Sequence, residues 1–293
     1  MAAIARFSIA GLGVEIELDP AWLEALQGAD FSPFRVAEIP EKILQMRLSG
    51  PDAELSFEPG ELLDEDHNDM GHVQLYASGR NYRVSLCQGA GGRLHRMLLF
   101  ADSEGNIDRA EVAFDPMDRY ARQALSSLVR IAFSQSVLSH GALSIHASSV
   151  VMAGEAVLFL GKSGTGKSTH AARWCEAGAE LLNDDNPLLR IEGERLVAYG
   201  TPWSGKTACY KNQSAPLRGI VRLSQAPQNR FERLYDMEAF VALLPSASVI
   251  RHSEPLHDRL CDLLGTMIER TKVAHLACRP DHEAYLCCLE GLR

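Results

Sequence analysis

The sequence predicts a mixed α/β (α+β) protein: a smaller β-rich module, residues 1–115, followed by a domain of mixed sheet and flanking helices, residues 116–293. Three observations predict it. Before residue 115, short apolar runs alternate with Gly, Asn and Asp turn signals. Beyond 115, apolar residues recur at helical spacing. Finally, an apolar run from Ala156 to Leu160 leads straight into "GKSGTGKST", residues 161–169, and then into a helical pattern. That is the setting of a phosphate-binding loop.

The N-terminal strands are read at FSIAGLGVEIEL, ILQMRLSG, HVQLYASG, YRVSLCQG, MLLFADSEG and AEVAF. Between them, residues 52–69 carry Asp52, Glu54, Glu58, Glu61, Asp64, Glu65, Asp66 and Asp69 with no base, which reads as an exposed acidic loop. Asp115-Pro116 suits a helix start, Asp115 as N-cap and Pro116 at the first helical position. Ala121, Leu125, Leu128 and Ala132 then mark an amphipathic helix over roughly 117–138. "LSIHASSVVMAGEAVLFLG" reads as strand, tight turn at Ala153-Gly154-Glu155, strand. A helix runs from Lys167 to Ala177, with Gly178 as its stop. A short strand, Glu180 to Leu182, leads to Asp184-Asp185. The hairpin LLRIEGERLVAYG and the loop TPWSGKTACYKNQSAP follow, and the last 60 residues are mostly helical with a strand at VAHLAC.

Composition narrows the function. A net charge of −9 argues against a nucleic-acid or anionic-membrane binder, which needs a basic face. No apolar run approaches the roughly 20 residues that span a bilayer, and the start does not read as a signal peptide. The seven cysteines are scattered and lack Cys-x-x-Cys spacing, so neither a disulfide framework nor a zinc site is indicated, and a cytoplasmic setting is expected.

The loop carries the chemistry. In Gly161-x4-Gly166-Lys167-Ser168, glycines let backbone N–H groups curl around phosphate oxygens, and the following helix presents its positive end to the same anion. The nucleotide-binding set is therefore Gly161, Lys162, Ser163, Gly164, Thr165, Gly166, Lys167, Ser168 and Thr169. Lys167 would reach the β- and γ-phosphates of ATP, and Ser168 would join the Mg²⁺ shell. Asp184-Asp185 puts two carboxylates beside the loop, one to serve Mg²⁺ and the other free to take a proton from an attacking hydroxyl. His146, on the antiparallel partner of the loop's strand, could polarise a group or move a proton.

His146, Gly161 to Ser168 and Asp184-Asp185 together resemble the catalytic domain of HPr kinase/phosphorylase, in the phosphoenolpyruvate carboxykinase-like P-loop superfamily. The resemblance covers roughly residues 117–293, most closely to about 190. It implies that fold and catalytic roles for His146, Lys167 and Asp185, with Asp185 the base toward a seryl hydroxyl. It further implies Ser168 and Asp184 at the metal, and a C-terminal Arg corresponding to Arg251. Pro216 stands where the family carries a metal-ligating Glu, so forward transfer rather than phosphorolysis is expected. The GTPWSGK segment resembles that of shorter HPr-kinase-related proteins, where Trp203 and Lys206 would cover nucleotide or substrate. The expected activity is Mg-ATP-dependent transfer of the γ-phosphate to a serine-type hydroxyl of a protein, peptide or small molecule. The expected partner is that acceptor, not nucleic acid or membrane, and a homo-oligomer is left open. A carboxykinase and a non-catalytic nucleotide-binding regulator are the alternatives.

Overall fold

Period-two alternation in AIARFSI and LGVEIEL folds the chain's start into a hairpin, β1 (Ala3–Ile9) and β2 (Leu12–Leu18), turning at Ala10 (φ 54) and Gly11 (φ 76). The computed structural model describes residues 2–56, 60–68 and 70–293 and has a mixed α+β architecture. Its contacts separate two compact units: Met1–His140 with Ile250–His257, and Gly141–Val249 with Asp258–Arg293.

The first unit is β-rich. Its further strands are β3 (Lys42–Ser49), β4 (Glu61–Asn68), β5 (Gly71–Ser78), β6 (Asn81–Cys87), β7 (Leu94–Ala101) and β8 (Ile107–Ala113). They form an eight-stranded sheet ordered β1-β2-β3-β8-β7-β6-β5-β4, parallel only at β2·β3 and β3·β8. The acidic stretch corrects the sequence reading. Glu61 to Asn68 is an edge strand rather than a loop, paired only to β5 and exposed along nearly its whole length. A strand with one neighbour and no buried face has no need of alternation, and its charges guard the open edge. Glu58 and Asp69 lie outside the described residues.

Helix α1 (Ala121–Ser136) buries Leu125, Leu128, Val129, Ala132 and Phe133, and it packs against β3, β6, β7 and β8. It therefore groups with the first sheet, whereas the sequence reading placed a boundary near 115. Its start is a second correction. The N-cap is Tyr120, not Asp115. Asp115 accepts from Arg93 Nη1 (2.7 Å), and Asp118 accepts from the fully buried His95 Nε2 (2.9 Å). Both acids are thus tied to residues at the start of β7 rather than to the helix end, and the buried His95 is satisfied by them.

In the second unit, β9 (Ala142–Ser144), β10 (Ser148–Met152) and β11 (Glu155–Leu160) precede α2 (Lys167–Glu176) and β12 (Glu180–Asn183). The β10–β11 turn is made by Ala153 (φ 53) and Gly154 (φ 82), as expected of this tight hairpin. Gly178 (φ 97) follows the C-cap of α2. The hairpin β13 (Leu188–Glu192) and β14 (Arg195–Tyr199) leads to β15 (Ser214–Gln225), then β16 (Arg230–Leu234) and α3 (Asp236–Leu243). Helix α4 (Glu254–Arg270) carries the chain into β17 (Lys272–Cys278) and α5 (His282–Gly291).

Strand β15 organises this nine-stranded mixed sheet. Its first residues, to Pro216, pair antiparallel with β14, and from Leu217 onward it runs parallel to β11. From Gly219 it also runs parallel to β17. Pro216 sits at the change of partners, the kind of place where a missing N–H is tolerated. A core of Phe159, Trp174, Val221, Leu276 and Tyr285, among others, lies where α2 and α5 cover β11, β15 and β17. Among the described residues, no helix is long and apolar enough to cross a membrane.

Candidate functional site

Residues 161–166 form a turn between β11 and α2, at the carboxyl end of β11. Gly161 is there for space, because a Cβ would collide with the Thr165 hydroxyl and lie 3.3 Å from the Leu223 carbonyl. Gly166 is there for conformation, with φ 102 as the residue preceding α2. Lys167 Nζ donates back to the Gly161 carbonyl (2.8 Å). Burial holds its ammonium below the ordinary lysine range, opposed by the charges of Asp185 and Asp184. Ser168 and Thr169 are exposed in the first turn of α2, and Lys162, Ser163 and Gly164 are exposed on the loop.

The aspartates are presented by a residue that sequence reasoning missed. Asn183, fully buried at the end of β12, accepts from the amides of Asp185 (2.9 Å) and Asn186 (2.8 Å) through Oδ1. Its Nδ2 donates to the Trp203 carbonyl (2.9 Å) and to Thr201 Oγ1 (3.2 Å). One side chain thus shapes the turn carrying both acids and ties it to the segment at 201–203. The available signal was an Asn immediately before Asp-Asp, since Asn caps its own following amides readily.

Asp184 is buried, with Oδ1 accepting from Ser148 Oγ (3.1 Å) and Oδ2 from the Thr207 amide (3.1 Å). Asp185 turns elsewhere. Its Oδ1 lies 3.2 Å from His146 Nδ1, and its carbonyl accepts from the Ala147 amide (2.9 Å). His146 lies just before β10 rather than within a strand, its amide donating to the Ser246 carbonyl (2.7 Å) and its ring 45% exposed. The two acids thus face different partners.

The structure places His146, Lys167, Ser168, Asp184 and Asp185 in one unit, whereas Arg251 is exposed and belongs to the segment grouped with the other. Trp203 is buried and Lys206 exposed. Among the described residues, no group of three or more His, Cys, Asp or Glu side chains could hold a metal ion. One carboxylate and one hydroxyl beside a phosphate loop nevertheless fit Mg²⁺, which binds through one or two carboxylates plus substrate phosphates rather than in an all-protein cage.

Helix α2 is anchored one turn further on. His170 is buried, accepts from the Trp174 indole N–H at Nε2 (3.2 Å) and meets Phe159 edge-on at 4.7 Å. Burial pushes its pKa down to about 4. The unfolded chain takes up a proton near pH 6.5 that the folded one refuses until about 4. Stability is therefore full above pH 6.5 and falls by about 3 kcal/mol as the pH drops toward 4. Denaturant titrations at several pH values should show this slope, and His170→Gln, which can still accept from Trp174, should flatten it. An unchanged slope in the variant would assign the acid sensitivity to other groups.

Residues 121–262 match the family model described as "SynChlorMet cassette protein ScmC". No curated protein matches the chain. A solved structure titled "Structure of the Hpr(Ser) kinase/phosphatase from Coxiella burnetii" is similar at 13% identity and a TM-score of 0.31, over 50% of this chain and 86% of that one. The likeness is distant and bears no weight for function.

Proposed function

We propose that the chain is a Mg-ATP-dependent kinase that transfers the γ-phosphoryl group to a serine-type hydroxyl of a protein, a peptide or a small molecule. The observation that carries this is the division of labour between adjacent acids. Asp184 is buried and held by Ser148 and Thr207, whereas Asp185 meets the half-exposed ring of His146 at 3.2 Å. A binding-only protein needs one acid for the metal, and the second, oriented by an imidazole, is what a hydroxyl acceptor requires.

In this reading the loop amides and Lys167 hold the phosphates, and Ser168 and Asp184 hold Mg²⁺. The metal, when bound, offsets charge on the β- and γ-oxygens. Asp185 takes the proton of the acceptor hydroxyl as its oxygen bonds to the γ-phosphorus. The bond from the γ-phosphorus to the bridging oxygen breaks, and its electron pair stays on that oxygen in the departing ADP. His146 orients the Asp185 carboxylate, which passes the proton to solvent after transfer.

Lys167→Ala should weaken ATP binding by roughly 1.5–3 kcal/mol, the worth of a hydrogen bond to a charged group, while leaving the fold intact. Calorimetric titration measures it, and an unchanged affinity would remove the loop from the mechanism. Nucleotide turnover by the purified chain, alone and with hydroxyl-bearing acceptors, then tests the reaction itself. Acceptor-independent binding without turnover would favour the regulator, and phosphoenolpyruvate formed from oxaloacetate would favour the carboxykinase.

A further inference from the structure

A cleft of about 570 Å³ opens beside the phosphate loop on the side away from the aspartates' strand, entirely within the second unit. It lies beyond the carboxyl ends of the three parallel strands β11, β15 and β17, the position where open α/β sheets take their ligands. One wall is the loop and the first turns of α2, with Thr169, His170 and Arg173. The other is the chain leaving β15 and β17, with Gln225, Ala226 and Arg279. The phosphate loop is thus one rim of a larger cavity.

Its charges are already matched. Arg279 donates through Nε to Asp281 (2.6 Å) and through Nη2 to Glu283 (2.7 Å), which fixes its guanidinium as a flat plate. Arg173 Nη1 donates to both carboxylate oxygens of Glu176 (2.9 and 2.8 Å). Each guanidinium is thus held by carboxylates, although the buried Nε of Arg173 has no partner among the described residues. The His170 ring accepts from the Trp174 indole N–H at Nε2, which places its own N–H on Nδ1. A rigid cationic plane and neutral hydrogen-bonding groups suit an uncharged planar ring, which stacks on guanidinium better than a solvated phosphate displaces two carboxylates.

We propose that this cleft holds the nucleoside half of the nucleotide, its base lying against the Arg279 guanidinium. The inference rests on the loop binding a nucleotide, as argued above. The volume agrees, since small-molecule pockets run from roughly 300 to 1,000 Å³.

The test compares Mg-ATP with Mg-tripolyphosphate, which has the phosphates and no nucleoside, by calorimetry on the full chain. Arg279→Ala should weaken ATP by about three- to fivefold, the worth of a partly exposed cation–π contact. Ala226→Trp should weaken it by about tenfold or more by filling the cleft. Tripolyphosphate should bind both variants as it binds the native chain, which also shows that they are folded. ATP affinity unchanged in both variants, or ATP and tripolyphosphate weakened in parallel, would overturn the assignment. Loss of both ligands in Lys167→Ala would then leave the phosphate loop standing without the cleft. If the native chain bound neither, the loop reading would fall and this inference with it.

Discussion

Asp185→Asn is expected to lose roughly 10²–10⁴ in phosphoryl transfer while keeping Mg-ATP binding within a few-fold, because the amide cannot accept the acceptor's proton. The substitution is nearly isosteric, and what fixes the residue is mostly main chain: its amide donates to Asn183 and its carbonyl accepts from Ala147. The turn should therefore survive. Asp184→Asn should behave differently. Both of its oxygens accept, from Ser148 and from the Thr207 amide, whereas an asparagine keeps one accepting oxygen and cannot accept with its NH₂. Its expected signature is a raised Mg²⁺ requirement with the segment around Thr207 loosened. Rates and nucleotide affinities measured on both variants with a defined acceptor separate the roles. Near-normal turnover by Asp185→Asn sinks its role as base, and loss of nucleotide binding there would mean the two acids exchange assignments.

Trp174→Ala should destabilise the second unit by about 3–5 kcal/mol, the range for emptying a large aromatic site in a core. Trp174 has no exposed surface, packs at 5.7 Å centroid distance on Phe159 and meets Tyr285 edge-on at 5.1 Å. Its indole N–H also donates to His170 Nε2 (3.2 Å), a buried acceptor that would lose this donor. Trp174→Phe keeps most of the ring and loses the N–H, so it should cost much less. Denaturant midpoints for both variants provide the check. A loss below about 1 kcal/mol in the alanine variant would mean that α2 is held from elsewhere.

The parts legible in the sequence are those written in consecutive residues. The run from Ala156 through Ser168 specifies strand, turn and helix by local pattern, and the structure has β11 and α2 at those places. The short N-terminal strands are likewise set by alternation and turn residues. Strand β15 was not legible. It opens with Ser-Ala-Pro, carries Arg218 and Gly219, and resembles a loop until its neighbours are known. It is a strand because β11, β14 and β17 surround it, and two of those partners, β11 and β17, are far away in sequence. Asp115 does not cap α1 for a related reason: its carboxylate accepts from Arg93, some twenty residues earlier, and from the Met117 amide in a turn that precedes the helix. At the site, the loop and the two acids could be read directly. The partners that distinguish Asp184 from Asp185, namely Ser148, Thr207 and His146, are brought in by the fold.

The first unit contains a piece that the chain reaches only after most of the second has been made. Within that unit, the Ile250 amide donates to Gln135 Oε1 (2.9 Å), and Pro255 lies against Gly105 so closely that a Cβ there would come within 2.6 Å of it. The chain crosses between the units three times, after 140, after 249 and after 257, so neither unit is a domain fused to the end of the other. No single cut separates the two. A fragment ending at 140 would lack the partner of Gln135, and one starting at 141 would carry Ile250–His257 without the residues they pack on. Dividing the protein for study therefore takes three cuts and two rejoinings, 140 to 250 with an end at 257 for the first unit, and 249 to 258 for the second.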